Sequence, residues 1–377
     1  MTDPLVTVLM PVYNGGDLLR FSIESILSQT YKDLEFLIIN DCSTDNSMET
    51  IRSYKDPRIV VHTNEINMGQ TKSLNVGLKL AKGKYIVIND ADDLSLPQRI
   101  EKQLDFILRH PGYVVVGASS FIMNRSGRIK RTFLKPTDSR EIFLGILSDT
   151  PLIHGSVIMD RKVILEQGGY DEGFKVCQDY ELWSSLIRKG LNVVANLPDI
   201  LVVIRHYLDS ISFKEKDVQT LENGKTIYTN INALTTLKTL AEDAIRQRLF
   251  FVAPEVLRWD DFKKAEDLFR KECRSLNGHY QFDPGYVSDY IKSKLEKPYC
   301  KLALAKIMDG QLKEARRVTF AYLKQYGFHR RTFFMFLFSC LGQKISKKMP
   351  SMYGMWQKAA AEGQLVTHRG SHLKVLS

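Results

Sequence analysis

The chain has 377 residues, of which 44% are hydrophobic and 25% charged, so it is neither a small disulfide scaffold, nor largely disordered, nor a polytopic membrane protein. Its Lys and Arg residues exceed its Asp and Glu residues by 10, a surplus that predicts a polyanion, a membrane surface or an anionic ligand as partner. Residues 301–377 contain fourteen Lys or Arg and three Asp or Glu, whereas residues 1–300 carry a net charge of −1. The basic character therefore belongs to the C-terminal fifth.

The five cysteines indicate a reducing compartment. They are scattered and odd in number, and none lies at CxxC spacing, so neither a disulfide framework nor a zinc site is predicted. The segment that begins at Met1 has no basic stretch followed by an apolar run, so it does not resemble a signal peptide. We therefore expect a cytoplasmic protein.

Short apolar runs at residues 5–12, 34–39, 58–62 and 84–88 predict buried strands, and helical spacing follows each of them. Four strand-helix units in succession predict an α/β doubly wound sheet. Ligands bind such sheets at the carboxyl ends of the strands. We therefore expect the active site near the polar residues that follow three of these strands. They are Tyr13, Asn14, Asp41 and the acidic run 90–93.

The run Asp90-Ala91-Asp92-Asp93 predicts a divalent cation site, because carboxylates on one turn can converge on a hard cation. A cation held by one or two carboxylates still has room for the oxygens of a nucleoside diphosphate. The alternative is that Asp92 or Asp93 caps the helix predicted from Gln98. No GxGxxG follows the first strand, and residues 77–85 lack the Ser or Thr of a P-loop, so neither phosphate-binding motif is indicated.

From about residue 213 the pattern becomes helical. Residues 301–327 predict a helical hairpin with its turn at Asp309-Gly310. We therefore predict three regions, which are a catalytic domain over 1–212, a helical region over 213–300 and a basic helical region over 301–377.

Five short motifs, taken in order, resemble the signature of family 2 glycosyltransferases with a GT-A fold. The motifs are Pro11-Val12-Tyr13-Asn14, Ile39-Asn40-Asp41-Cys42-Ser43-Thr44-Asp45, Asn67-Met68-Gly69 with Leu74-Asn75-Val76-Gly77, Asp90-Ala91-Asp92-Asp93 and Gln178-Asp179-Tyr180-Glu181-Leu182-Trp183. The resemblance covers residues 5–212, a little over half of the chain. It implies an inverting enzyme with a Rossmann-like mixed sheet flanked by helices, followed here by an all-α C-terminal region.

The resemblance also implies how the donor is bound. Pro11, Tyr13 and Asn14 would contact the base, and Asp41 would accept a hydrogen bond from a pyrimidine imide. An ionised carboxylate only accepts hydrogen bonds, so it suits the N–H of uracil or thymine and indicates a UDP-sugar or a dTDP-sugar.

By the same resemblance, the acidic motif would bind the ribose and the diphosphate of the donor. Asp90 and Ala91 would lie near the ribose, and Asp92 would bind Mg²⁺ or Mn²⁺ on the diphosphate. Lys72 could approach the diphosphate, although a solvated helix face is the alternative for a single Lys.

On the acceptor side the resemblance implies that Asp179 is the catalytic base, with His154 and Trp183 near the acceptor. The alternatives are that Asp179 caps its helix and that His154 is a packed core residue. The family often has an acidic residue before this Asp, where the present chain has Gln178. Residues 205–212 resemble a family segment whose His reaches the metal. Tyr207 occupies that position, so a metal role for the neighbouring His206 is a further hypothesis.

The most apolar stretch is residues 333–342, flanked by Arg330, Arg331 and Lys344. A helix of ten residues spans about 15 Å, half of a roughly 30 Å hydrocarbon core, so this stretch cannot cross a bilayer alone. It is either a buried helix or an interfacial segment that contacts anionic lipid. A nucleic-acid partner is not expected, because no nucleic-acid-binding module is recognised.

The leading functional hypothesis is metal-dependent, inverting sugar transfer from a UDP-sugar to a glycan or lipid-linked acceptor of a surface polysaccharide. The enzyme would be cytoplasmic, with peripheral contact to the inner face of the membrane through residues 301–377. The alternative is a non-catalytic nucleotide-sugar or glycan-binding protein on the same fold. The presence of Asp41, Asp92 and Asp179 favours the enzyme.

Overall fold

A computed structural model describes residues 4–190, 193–207, 214–280 and 282–340. The chain divides between Ile245 and Arg246 into two compact units. The boundaries predicted at residues 212 and 300 divide the chain by function rather than by compactness, and they stay a prediction.

The first unit contains the strands and the helices that alternate with them. The strands are β1 (Val6–Val12), β2 (Leu34–Asn40), β3 (Ile59–Thr63), β4 (Tyr85–Ile88), β5 (Leu94–Ser95), β6 (Val115–Met123), β7 (Ile129–Phe133), β8 (Ile158–Asp160) and β9 (Val194–Arg205). The helices are α1 (Leu19–Leu27), α2 (Ser47–Ser53), α3 (Gln70–Leu80), α4 (Arg99–Arg109), α5 (Ser139–Gly145), α6 (Arg161–Glu166), α7 (Gln178–Ile187) and α8 (Lys216–Leu234). A single 3₁₀ turn, His154–Ser156, precedes β8.

The strands form one mixed sheet in the order β3-β2-β1-β4-β8-β6-β9-β5, and β7 pairs with β6. The four strands predicted from the sequence run parallel to one another, whereas β8 is antiparallel to both of its neighbours. The register pairs Val12 with Asn40 and Leu9 with Ile88, so the carboxyl ends of β1, β2 and β4 meet at one edge. The predicted α/β architecture is confirmed.

The core explains why these runs form strands. Every residue of β2 and β4 is buried, and β1 has one partly exposed position, Pro11. A strand covered on both faces needs a continuous apolar run, which is what the sequence supplies. Ile23 and Ile26 of α1 are fully buried in the same cluster as Val8 of β1, so α1 covers the sheet.

The second unit is helical, as predicted. Its helices are α10 (Trp259–Tyr280), α11 (Pro284–Met308), α12 (Leu312–Tyr326) and α13 (Arg330–Cys340), and α9 (Ala241–Val252) contains the division between the units. The predicted hairpin over residues 301–327 is confirmed by α11 and α12, and Gly310 adopts φ +76° in the turn between them. Buried Glu266 of α10 accepts hydrogen bonds from Tyr299 of α11 and Tyr326 of α12, which ties the three helices together.

Within the described residues, no helix is both long enough and apolar enough to span a membrane.

Candidate functional site

The acidic turn after β4 is held by the end of β9. The Asp93 carboxylate is buried, and its Oδ1 accepts the backbone N–H of Arg205 at 2.8 Å. The Arg205 Nε donates to the backbone oxygen of Asp92 at 2.8 Å. Helix α4 begins at Arg99 with Gln98 as its N-cap, so the alternative in which Asp92 or Asp93 caps this helix is wrong. The residues between form the short strand β5 instead.

Asp92 lies beside an aromatic hydroxyl. Tyr207 donates its Oη–H to Asp92 Oδ2 at 2.7 Å. Burial and then the neighbouring charge of Asp90 raise the pKa of Asp92 above its usual range. In the described part of this segment, Tyr207 thus bonds the carboxylate of Asp92, whereas Arg205 bonds its backbone oxygen. The metal role of the exposed His206 stays a prediction, and residues 208–212 of the predicted motif lie outside the described residues.

A fully buried guanidinium lies beneath the acidic turn. Arg99 donates to the backbone oxygen of Ile88 at 2.8 Å and to Ser95 Oγ at 2.8 Å, and so fixes the end of β4. Burial lowers the pKa of Arg99 to about 9, against the opposing effect of Asp90 and Asp93. Arg99 therefore supplies a positive charge on the core side of the acidic turn.

Hydrogen bonds join the loop after β1 to the loop after β2. Asn14 adopts φ +51°, and its Oδ1 accepts the Thr44 N–H at 2.8 Å. The Gly16 N–H donates to Asp45 Oδ2 at 3.0 Å. Tyr13 is 51% exposed and Pro11 is partly exposed, so both can be reached by a ligand. The interlocked loops place the predicted base-binding residues at one edge of the sheet.

Asp41 organises the loop that leads into α3. Its buried carboxylate accepts hydrogen bonds from Asn64 Nδ2 at 2.8 Å, from the Met68 N–H at 2.9 Å and from the Gly69 N–H at 2.8 Å. A carboxylate has about four acceptor positions, so one more hydrogen bond can be accepted. The imide contact thus stays a prediction, and Asp41 also shapes the site. Lys72, on α3, is exposed.

The predicted base is in the first turn of α7. The N-cap of this helix is Cys177, so the alternative in which Asp179 caps it is wrong. Burial raises the pKa of Asp179, while His154, Lys135 and the backbone N–H groups of the turn oppose the rise. A carboxylate with a raised pKa is a stronger base than one at the surface.

The turn His154–Ser156 lies between the base and the acidic motif. His154 Nε2 is 3.0 Å from Tyr170 Oη, and a Cβ added to Gly155 would lie 2.9 Å from Asp90 Oδ2. Burial and then the charges of Asp179 and Asp90 raise the pKa of Tyr170 well above its usual value. The charges of both carboxylates therefore act on Tyr170, and the turn His154–Ser156 contacts Tyr170 through His154 and approaches Asp90 at Gly155.

Two neighbours of Asp179 on α7 have different positions. Trp183 is fully buried, with its ring centroid 6.5 Å from that of His154, so it lies behind His154 rather than on an open surface. Gln178 Nε2 lies 3.4 Å from Gln70 Oε1, and Gln70 Nε2 lies 3.3 Å from Asp90 Oδ1. These amides connect α7 to the acidic motif where the family often has an acidic residue.

Residues 7–168 match the model of the family described as glycosyl transferase family 2. EpsE of Bacillus subtilis strain 168, a protein classed as a glycosyltransferase, is 33% identical over 234 residues, which are 60% of this chain and 82% of that protein. The chain belongs to glycosyl transferase family 2. An uncharacterised family relative, the glycosyltransferase MJ1057 of Methanocaldococcus jannaschii, is 36% identical over 48% of this chain and 64% of its own length.

Solved structures share the fold of this family 2 chain. TarS 1-349 of S. aureus in complex with UDP-GlcNAc has a TM-score of 0.52 at 15% identity, covering 92% of this chain and 91% of that one. The mannosyltransferase PcManGT of Pyrobaculum calidifontis, in complex with GDP-Man and Mn²⁺, has a TM-score of 0.50 at 16% identity and covers 80% of this chain and 88% of that one. At these identities the likeness concerns the fold, which is GT-A.

The oxygen-rich acidic turn fits a divalent cation. The charge of Asp90 raises the pKa of Asp92, and a divalent cation would relieve that repulsion. Both offer the oxygen ligands that Mg²⁺ and Mn²⁺ accept. Among the described residues, no group of three or more His, Cys, Asp or Glu is arranged to hold a metal by itself.

Sequence reasoning missed three positioning residues of this family 2 site. Tyr170 touches His154, Arg99 supports β4, and Glu222 of α8 accepts the N–H groups of residues 175–177 ahead of α7. One signal was present in the motif that contains Asn75, because its amide bonds both the N–H and the C=O of Tyr170 at 2.9 Å. The other contacts join residues far apart in sequence and left no local pattern.

Proposed function

We propose that the chain transfers a sugar, with inversion, from a UDP-sugar or dTDP-sugar to a hydroxyl of a glycan or lipid-linked glycan of a surface polysaccharide. The observation that carries this proposal is the turn His154–Ser156, which bonds Tyr170 through His154 and approaches Asp90 at Gly155, while the charges of Asp179 and Asp90 both act on Tyr170. In this proposal the base lies on one side of the turn and the acidic motif on the other. Family membership and the GT-A fold support the same reaction class.

The base of the donor would lie on the loop after β1. Exposed Tyr13 offers a ring face, Pro11 is partly exposed, and Asn14 is fixed by its bond to Thr44. The acceptor position left on Asp41 suits the imide N–H of uracil or thymine. The complex of TarS with UDP-GlcNAc supports a uridine donor, whereas PcManGT was crystallised with GDP-Man.

Asp92 would hold Mg²⁺ or Mn²⁺, with Asp90 near the ribose, and the cation would supply Lewis-acid neutralisation of the charge on the diphosphate. The complex of PcManGT with Mn²⁺ supports this assignment. Tyr207 holds the Asp92 carboxylate by a hydrogen bond, and Arg205 fixes the backbone of the turn. Lys72 and Ala91 remain proposed donor contacts, since Lys72 is exposed at the start of α3 and Ala91 belongs to the turn.

Asp179 would accept the proton of the attacking hydroxyl. Its raised pKa keeps the carboxylate reactive, and its place at the start of α7 is fixed because Glu222 holds the preceding loop. A positioned base of this kind typically contributes about 10² to 10⁴ in rate. His154 would orient the acceptor or the base from the adjacent turn, and Trp183 would support His154 from behind.

The test is the substitution Asp179→Asn, assayed as Mn²⁺-dependent transfer or hydrolysis in a screen of nucleotide sugars. We expect turnover to fall by about 10² to 10⁴, while binding of UDP with Mn²⁺ stays within about twofold. The matched control is Asp105→Asn, which removes a surface carboxylate of α4 and should leave both quantities unchanged. Full turnover in Asp179→Asn would disprove the base assignment, and donor binding without turnover in the wild type would indicate a non-catalytic binder.

A further inference from the structure

Helix α13 buries two small polar residues and leaves two large apolar residues exposed. Thr332, Met335 and Ser339 are fully buried, whereas Phe334 is 44% exposed and Leu337 is 41% exposed. A helix that only served as core would bury its large apolar residues and expose its small polar ones. The exposed side of α13 is therefore available to contact an apolar partner.

Residues outside α13 enlarge this exposed area. Phe328, in the loop before α13, is 69% exposed, and its ring centroid lies 5.1 Å from that of Phe333. Phe320 of α12 is 56% exposed and lies 6.2 Å from Phe336. We call Phe320, Phe328, Phe334 and Leu337 the apolar face. Exposed apolar residues in a cluster, unlike single ones, mark an interaction surface.

Cations surround the apolar face. On α12 the helical neighbours of Phe320 at three and four residues include Arg316, Arg317 and Lys324, and Lys324 is exposed. On α13 exposed Arg331 precedes Phe334 by three residues. Residues 301–340 contain eight Lys or Arg and two Asp or Glu, a net charge of +6. Within α12, Arg317 pairs with Glu314 at 3.7 Å, a loose contact at the surface.

We propose that the apolar face is a docking surface for an anionic lipid bilayer. Phe and Leu side chains on a helical surface insert into the boundary between headgroups and acyl chains, at a depth of about 5–10 Å, while Lys and Arg stay among the headgroups. On α12 large apolar residues lie beside basic ones, and on α13 Arg331 precedes the apolar residues, so the surface offers groups to both layers. A bilayer is also the environment in which a lipid-linked acceptor is found, so this surface deepens the proposed function and rests on it.

Charge argues against the other occupants. A second copy would bring a net charge of +6 against an equal charge. Residues 341–377 contain six Lys or Arg and one Glu, which adds to the positive charge of this part of the chain. An anionic bilayer is attractive to all of these groups.

The experiment is flotation of the full chain with vesicles, without any nucleotide sugar. Vesicles of phosphatidylcholine mixed with phosphatidylglycerol should bind the chain at least about tenfold more tightly than phosphatidylcholine alone, and added salt should weaken the binding. The double substitution Phe334→Gln with Leu337→Gln should reduce binding by about tenfold or more. The matched control Val256→Gln, at a position 64% exposed in the same unit, should not change it.

Circular dichroism would first establish that both variants keep their helices. Equal binding to both kinds of vesicle, or unchanged binding of the double variant, would overturn the proposal. So would a dimer in solution that the double variant dissociates, because the face would then be an interface between copies. The Asp179→Asn chain should float like the wild type, so a failure of the catalytic proposal and a failure of the docking proposal give different results.

Discussion

Asp179 shows how its surroundings set the strength of a base. Its carboxylate is removed from water, which raises its pKa, yet His154 and the first-turn N–H groups of α7 keep that rise in check. His154 is itself fixed by Tyr170, which Asn75 of α3 holds through two backbone hydrogen bonds. The reactivity of the Asp179 carboxylate thus depends on α7, on the turn that contains His154 and on α3.

The pH dependence of turnover tests this arrangement. A base acts as the carboxylate, so kcat/KM should fall as the pH drops through the raised pKa of Asp179, above the usual value of about 3.9. His154→Gln removes an imidazole that favours the ionised form, so the acid limb should move to higher pH. The profile would be measured at saturating Mn²⁺, with His62→Gln as the control that leaves the limb in place. An acid limb that moves to lower pH in His154→Gln would contradict the assignment.

The acidic turn could be predicted from residues alone, because four consecutive positions after a strand carry three carboxylates. The distinct roles of those carboxylates could not. Asp93 is satisfied by the backbone of Arg205, and Asp92 is bonded by Tyr207, more than a hundred residues away in both cases. Only tertiary pairing of β5 with β9 brings these groups together.

At the scale of elements, the turn between α3 and β4 is locked onto β1 and β2. The Gly83 N–H donates to Thr7 Oγ1 at 2.8 Å, and Thr7 Oγ1 donates to Glu35 Oε2 at 2.6 Å. Glu35 also accepts the Lys82 N–H at 2.9 Å. The buried carboxylate is thereby satisfied, and the turn sets where β4 begins, hence where its acidic end lies.

Gly83→Ala should destabilise the chain. A Cβ at this position would lie 2.4 Å from the backbone nitrogen of Thr7 and 2.8 Å from the backbone carbon of Val6, and backbone in a central strand cannot move aside. We expect the free energy of unfolding to fall by about 1–3 kcal/mol, measured by urea denaturation. Gly190→Ala is the control, because nothing lies within 4 Å of a Cβ there and its φ is not positive. Equal free energies of unfolding for the two variants would contradict this prediction, because the turn would then have moved to make room for the added methyl group.

The parallel strands were predictable at this scale, since continuous apolar runs such as residues 34–39 leave little choice when both faces are covered. Their ends shifted by one residue at most. The antiparallel strand β8 and the link from α8 to α7 were not predictable in the same way. The three-residue β8 is too short for a pattern, and the bond from Glu222 to the loop before α7 spans more than forty residues.

At the scale of the whole molecule, the two units differ in net charge. Residues 1–245 carry a net charge of −3 and residues 246–377 carry +13. The near-neutral unit contains the acidic turn, which would attract a cation, and the basic unit contains the apolar face. Under the docking proposal, the surplus of +10 serves contact with a membrane, and the proposed reaction belongs to the other unit.

Amide hydrogen exchange should separate these two functions. A ligand that binds only the folded state slows exchange where its binding site opens, so UDP with Mn²⁺ should protect residues 13–16 and 41–45 but leave α12 and α13 unchanged. Vesicles that contain phosphatidylglycerol should do the reverse, and phosphatidylcholine vesicles should protect neither. Asp92→Asn should abolish the part of the UDP protection that depends on Mn²⁺, without affecting protection by vesicles. Protection of both units by either ligand alone would refute this division, because one binding event would then govern the whole chain.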